Sequence, residues 1–224
     1  MDSYLLVKYL HVLAFVYWLG ADLGVFLAAR YAARPDLALA ERRRFLRLTL
    51  LLDMGPRSGL ILMVPTGITL ASRGGWTDLD AAALAMVWIS ATLWLALTWA
   101  LYFREGEQGA VAAWRRVDIA VRIVVVAGFT SMAVASLAGY GPVRADWLAF
   151  KALLFAGAVS IGLMLRLCLR DWLRGMRLIG SGEDVGLGNG LVAVASRRAE
   201  RWALLLWLFV ALTALLGVVQ PGFR

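Results

Sequence analysis

Only one histidine and one cysteine occur in the 224 residues, and each scarcity closes off a class of chemistry. Cys168 alone cannot form an internal disulfide, and no cysteine or histidine spacing matches a zinc or iron-sulfur site. Its place near the end of an apolar block points to a buried, unreactive thiol. A single His11 excludes a haem held by two histidines of the same chain, and a catalytic zinc would lack protein ligands. Charge is sparse as well. Asp, Glu, Lys and Arg make up 17% of the chain against 62% hydrophobic residues, and a mean hydropathy of +0.75 excludes an ordinary soluble domain. The first apolar block lacks both the basic leader and the small-residue cleavage segment of a signal peptide, so it is expected to remain as a helix. Residue-level repeats are absent. The glycines of "LIGSGEDVGLGNG" follow no strand and precede no Gly-Lys-Ser/Thr, which leaves a flexible connection as the expectation and no phosphate loop.

What the chain does have is long apolar blocks, several reaching the ~20 residues that a helix needs to cross hydrocarbon. They predict an all-α transmembrane bundle of six spans, near 4–29, 48–71, 82–103, 117–138, 147–167 and 202–220, in one domain, 1–224. Backbone groups in lipid must bond within their own segment, so every span is expected to be helical. The net charge of +8 does not point to nucleic acid, because the arginines collect between the blocks. Arg30, Arg34, Arg42, Arg43, Arg44 and Arg47 flank the first connection. Arg104, Arg115 and Arg116 flank the third. Arg166, Arg170, Arg174, Arg177, Arg197, Arg198 and Arg201 flank the fifth, whereas the second and fourth hold only Arg73 and Arg144. Positive charge stays on the inner side of a membrane, so both termini are expected outside and 168–201 is expected to be a cytoplasmic connection. Trp76 and Trp147 suit the outer interface, and Trp114, Trp172 and Trp202 the inner one. The segment "LVAVASRRAERW" reads as an amphipathic run leading into the last span.

Several polar groups lie inside these blocks, where lipid penalises them. His11, Phe15, Trp18 and Asp22 follow at helical steps and share one face of the first span, with Lys8 a turn before them. Asp53 with Arg57, and Asp118 with Arg122, are i,i+4 pairs at the inner depth. Together with Asp22 they form a candidate ionic network, either locking the helices or serving conduction or catalysis, with Asp22 and Arg57 as candidate catalytic groups. Lys151, one turn after Trp147, falls near the depth of His11 without a carboxylate to neutralise it. Such a lysine either snorkels to the headgroups or meets an anionic ligand such as a propionate, a substrate carboxylate or a lipid phosphate. Met63, Met86 and Met132 fall at the same depth. Imidazole with thioether suits a six-coordinate haem (His11 with Met132) or a soft copper site (His11 with Met63 and Met86), and methionine also fills gaps in bundles.

The stretch "LHVLAFVYWLGADLGVFLA", with its His11, Trp18 and Gly20, resembles the first helix of the CopD-like membrane proteins and of the related HemJ-like protoporphyrinogen oxidases. "PRSGLILMVPTGITLA", with Thr66-Gly67, is similar to their second helix, and "DWLAFKALLFAGAVSIGLMLR", with Lys151 and Arg166, to a late one. The HemJ-like resemblance implies a haem b on His11, Lys151 as a functional lysine, and six-electron oxidation of protoporphyrinogen IX to protoporphyrin IX. The CopD-like resemblance implies copper handling, and both imply a multi-pass protein of a bacterial-type inner membrane. The Asp and Arg network is no part of the resemblance.

Three readings follow. The first is a haem-associated redox protein passing electrons to a quinone or another membrane partner, with Lys151 as a catalytic or cofactor-binding group. The second is a transporter for copper or another small solute. The third is a structural or assembly protein, and homo-oligomers fit each.

Overall fold

The computed structural model describes residues 3–104 and 110–222. The expected third connection, "REGEQGAVAAWRR", therefore lies partly outside the described residues. The described residues form seven helices: α1 Ser3–Ala32, α2 Leu39–Leu52, α3 Met54–Arg73, α4 Ala81–Phe103, α5 Ala110–Leu137, α6 Asp146–Ser181 and α7 Val185–Val219. No strand occurs among the described residues. α2 and α3 run on as one candidate span, so six segments are long and apolar enough to cross a membrane. The break between them follows from Pro56, which has no N–H to offer the Leu52 carbonyl. Asp53 takes up the turn, donating its N–H to Thr49 and accepting from Arg57.

The helices pack as a ring in which α1 lies against α3 and α7, α3 against α4, α4 against α5, α5 against α6, and α6 against α7. Large apolar side chains cover the outside, including Val12, Val16, Leu23, Ile89, Leu93, Val124, Leu208 and Leu215. That inside-out distribution suits a solvent of lipid chains. Between two helices, however, lipid offers no hydrophobic drive, so close backbone packing has to hold them together. Along the α1/α3 seam, Gly55 and Gly59, spaced GxxxG, face Ala21, Ala14 and Trp18 of α1. A Cβ built on Gly59 would lie 2.7 Å from the Ala14 carbonyl oxygen and 2.9 Å from the Trp18 Cβ.

The greatest departure from the sequence expectation is the stretch 178–190, "LIGSGEDVGLGNG", expected as a flexible connection and helical on both sides of a turn at 182–184. α6 and α7 are 36 and 35 residues long. At 1.5 Å per residue each reaches roughly 50 Å, well beyond a hydrocarbon core of ~30 Å. They join in a tight turn where Gly182 adopts φ 73° and Asp184 accepts from the Leu187 N–H. Two glycines of this hairpin serve helix contact, since Gly175 and Gly188 bring the two backbones together. Beyond the membrane-crossing part, the hairpin packs with the end of α1 and with α2 around Ala32, Leu46, Trp172, Met176 and Val192. Arg42, 3% exposed, clamps this cap by donating to the Ala32 carbonyl (3.1 Å) and to Asn189 Oδ1 (2.8 Å). The end of the bundle carrying this hairpin is called the hairpin end below, and the other the terminal end. At the terminal end the two short connections meet, with Trp76 edge-on to Trp147 at 5.0 Å and Arg144 donating its N–H to the Trp76 carbonyl.

Gly59→Ala is expected to destabilise the protein by about 1–3 kcal/mol through overpacking at the α1/α3 crossing. Gly128→Ala, where nothing lies within 4 Å, leaves stability unchanged or slightly raised. Thermal unfolding midpoints in detergent check the pair, and equal behaviour of the two variants would refute a backbone-contact role for Gly59.

Candidate functional site

Two polar centres occupy the bundle interior, separated by an aromatic belt. Trp18 of α1 meets Phe155 of α6 edge-on at 6.1 Å, and Phe155 in turn meets Phe129 of α5 at 5.1 Å. Leu60, Ile61, Trp94, Val159 and Leu206 complete this dry core.

On the terminal side of the belt stands His11. Its Nδ1 lies 2.8 Å from the Thr66 Oγ1, and Thr66 donates its own hydroxyl proton to the Leu62 carbonyl at 2.6 Å. A threonine hydroxyl has one proton, so with that proton engaged the oxygen is an acceptor towards the ring. His11 then carries its proton on Nδ1 and leaves the Nε2 lone pair free. Gly67 makes room for the ring, since a Cβ there would lie 3.2 Å from the His11 Cε1. Lys151 of α6 lies within electrostatic reach of His11 and has no anionic partner among the described residues. Its Nζ rests against Gly217 of α7, where any side chain would collide with it. The expected association of His11 with Lys151 is therefore present.

Two other expected neighbours are not. Lys8 is exposed on α1 and takes no part. Met86 is 67% exposed on α4, pointing out of the bundle, and cannot join His11 within one chain. Met63 belongs to the belt core with Trp18 and Ile61, while Met132 packs among Ala133, Ala149 and Ala152 of the α5/α6 contact. The three methionines thus serve different packing environments. Matching depth, which brought them together in the sequence, says nothing about the direction in which each helix turns them.

On the hairpin side of the belt, Asp118 is fully buried and forms the centre of a cluster. It pairs with Arg122 at 3.2 Å and with Arg166 of α6 at 2.6 Å, and it accepts from the Trp94 indole of α4 at 2.9 Å. The Arg122 guanidinium, in a residue only 3% exposed, also lies 5.3 Å over the Trp94 ring. The i,i+4 pair read from the sequence is present. It is joined by Arg166, which the sequence reading had placed at the membrane boundary because the fifth span was ended at 167. Since α6 continues to Ser181, Arg166 is in mid-helix.

Asp53 and Arg57 form the second expected ion pair, half-buried. Asp22 belongs to a different arrangement from the one expected. Its Oδ2 accepts from the Trp207 indole of α7 at 2.7 Å, and no cation pairs with it among the described residues. The contact is one rung of an α1/α7 seam that continues with Phe26 against Trp207 (5.3 Å) and Arg30 against Glu200 (3.2 Å). Trp207, 185 residues away in sequence, carried no sign of this role.

A cavity of about 150 Å³ opens between these groups, lined by Asp22, Asp53, Arg57, Arg122 and Arg166 and floored by Trp18 and Leu60. The ionic groups thus surround a space instead of forming one continuous lattice. Among the described residues no group of three His, Cys, Asp or Glu side chains is placed to hold a metal ion. Cys168 is buried and free, as expected.

Asp118→Asn removes one partner of two buried guanidiniums and is expected to cost about 3–5 kcal/mol. Arg34→Ala, at an exposed pair with Asp36 in the α1/α2 turn, leaves stability almost unchanged. Unfolding in mixed micelles of rising denaturing-detergent content measures both. Similar losses at the two sites would contradict the central place given to Asp118. When the chain is compared with protein-family models, with curated proteins and with solved structures, none of them matches it.

Proposed function

We propose that the chain is a haem-associated redox protein of a bacterial-type inner membrane, related in activity to the HemJ-like protoporphyrinogen oxidases, with both termini on the outer side. The observation that carries this reading is the orientation of His11. Its Nδ1 proton is engaged by Thr66, so the Nε2 lone pair is presented unprotonated, the form in which imidazole binds a metal. The donor set suits haem better than copper, because one oriented imidazole with a nearby cation meets the needs of an iron porphyrin carrying propionates. A soft copper site would require thioethers converging on His11, and Met86 faces away.

His11 would hold the iron, and Thr66 would fix the ring in one tautomer and orientation. Lys151, without an anionic partner among the described residues and set against Gly217, would receive a propionate or a substrate carboxylate. When bound, haem supplies one-electron redox chemistry at a potential set by its axial ligand and surroundings. The chain's own residues supply the rest: the Trp18/Phe155/Phe129 belt keeps the His11 centre apart from the polar cavity beyond it. That separation disfavours a transport path running from His11 through the carboxylates. Electrons would leave to a quinone or another membrane partner, as the seven helices include no nucleotide-binding α/β unit.

Protein purified in mild detergent from haem-replete cells is expected to show a Soret band that His11→Ala abolishes. Thr66→Val should keep the fold and lower haem affinity on the order of 10–100-fold, the usual effect of losing an orienting hydrogen bond to a metal-ligating histidine. A colourless wild-type preparation, or one containing copper in place of iron, overturns the reading.

A further inference from the structure

The cavity on the hairpin side of the belt has a feature that neither the haem reading nor helix locking uses. Three buried polar atoms on residues lining it lack a hydrogen-bond partner among the described residues: Arg122 Nη2, Trp172 Nε1 and Ser196 Oγ. The guanidinium and indole nitrogens can only donate, and the hydroxyl donates as well as accepts. Arg122 and Trp172 are 3% and 5% exposed, so bulk water does not satisfy them. Buried donors without acceptors are costly, and the cavity therefore calls for a ligand that brings acceptor atoms.

Local charge is compatible with such a ligand at one end of the cavity. Asp118 is shared by Arg122 and Arg166, so this cluster carries one net positive charge. Asp53 and Glu200 are balanced by Arg57 and Arg30, and Asp22 accepts from the neutral Trp207 indole on the α1 side, so the wall as a whole is neutral with its positive end at Arg122 and Arg166. The remaining lining is largely apolar, with Val25, Leu60, Leu165 and Leu206 among it. A space of about 150 Å³ is comparable to a cavity that holds benzene and is far too small for a porphyrin.

We propose that this cavity is a binding site for an oxyanion, a carboxylate or phosphate group carried on a small body that is apolar apart from an acceptor oxygen. Arg122 and Arg166 hold the anionic head. Trp172 and Ser196, further along α6 and α7 towards the hairpin, donate to acceptor atoms on the body. The same chemistry is offered by a soluble carboxylate entering from the hairpin end and by the headgroup of an anionic lipid. The site is independent of His11, which lies on the other side of the aromatic belt.

The test uses full-length protein in nanodiscs of zwitterionic phosphatidylcholine, with the thermal unfolding midpoint and tryptophan fluorescence as readouts. 4-Hydroxybenzoate, whose phenol oxygen is the acceptor on the body, probes the soluble source, and phosphatidic acid, with its ester oxygens, blended into the disc probes the lipid source. One of the two is expected to raise the midpoint saturably, and which one does so identifies the source. Arg166→Gln is expected to weaken that binding roughly tenfold or more, the effect of losing a charge-assisted hydrogen bond. Trp172→Phe keeps an aromatic side chain while removing the donor, and weakens it several-fold. Arg166 is partly exposed and Trp172→Phe leaves an aromatic ring in the core, so these variants remain informative even where Arg122→Gln fails to fold. His11→Ala leaves the binding unchanged, which separates this outcome from any failure of haem association. No saturable effect of either probe, an equal effect of chloride at matched ionic strength, or wild-type affinity in both Arg166→Gln and Trp172→Phe overturns the proposal.

Discussion

A carboxylate fully removed from solvent in a membrane protein must be matched by cations and donors, and Asp118 shows what that requirement imposes on the rest of the bundle. Its four lone-pair positions draw in Trp94 from α4, Arg122 from its own helix and Arg166 from α6. Three helices are thereby fixed in rotation about their axes, since each must turn one particular side chain inward. Once α6 is so oriented, Phe155, eleven residues before Arg166, faces Trp18 and Phe129 and closes the belt. Lys151, a further turn back, is turned towards α7 and the His11 centre. The polar pairing and the apolar belt are thus consequences of one helix rotation.

The belt gives the two centres different physical settings. On the terminal side, His11 is held by a neutral hydroxyl and lies within electrostatic reach of Lys151, which has no anionic partner among the described residues. On the hairpin side, several ion pairs surround a cavity with donors left over. An ion in the first compartment would have to cross packed aromatic rings to reach the second. A ligand in the first and a ligand in the second would consequently bind without contact.

The hairpin extends this logic beyond the membrane. α6 and α7 continue as helices because Gly175 and Gly188 allow their backbones to touch, and because the apolar residues beyond the span find a partner surface on α2 and the end of α1. Read alone, the arginines and glycines of 168–201 have the composition of a linker. In the structure the arginines cover the outside of a small helical cap, and Gly175 and Gly188 are contact points within it. Arg42 shows how composition misleads: one of a run of arginines that marks topology, it is buried and holds the α1 terminus.

The sequence by itself determined the six spans, their helical character, the two i,i+4 ion pairs and the inward place of His11. Each depends on local quantities: the apolar length a bilayer demands, the 3.6-residue repeat, and the cost of a polar group in lipid. What only the tertiary structure decided is which helix each polar group meets. Thr66 for His11, Trp207 for Asp22, Arg166 as the second cation on Asp118, and the outward turn of Met86 all depend on helix rotation and lateral order. Equal depth in the bilayer can be counted along one chain. Direction around a helix axis has meaning only relative to neighbours, and those neighbours are brought together from residues up to 185 positions apart.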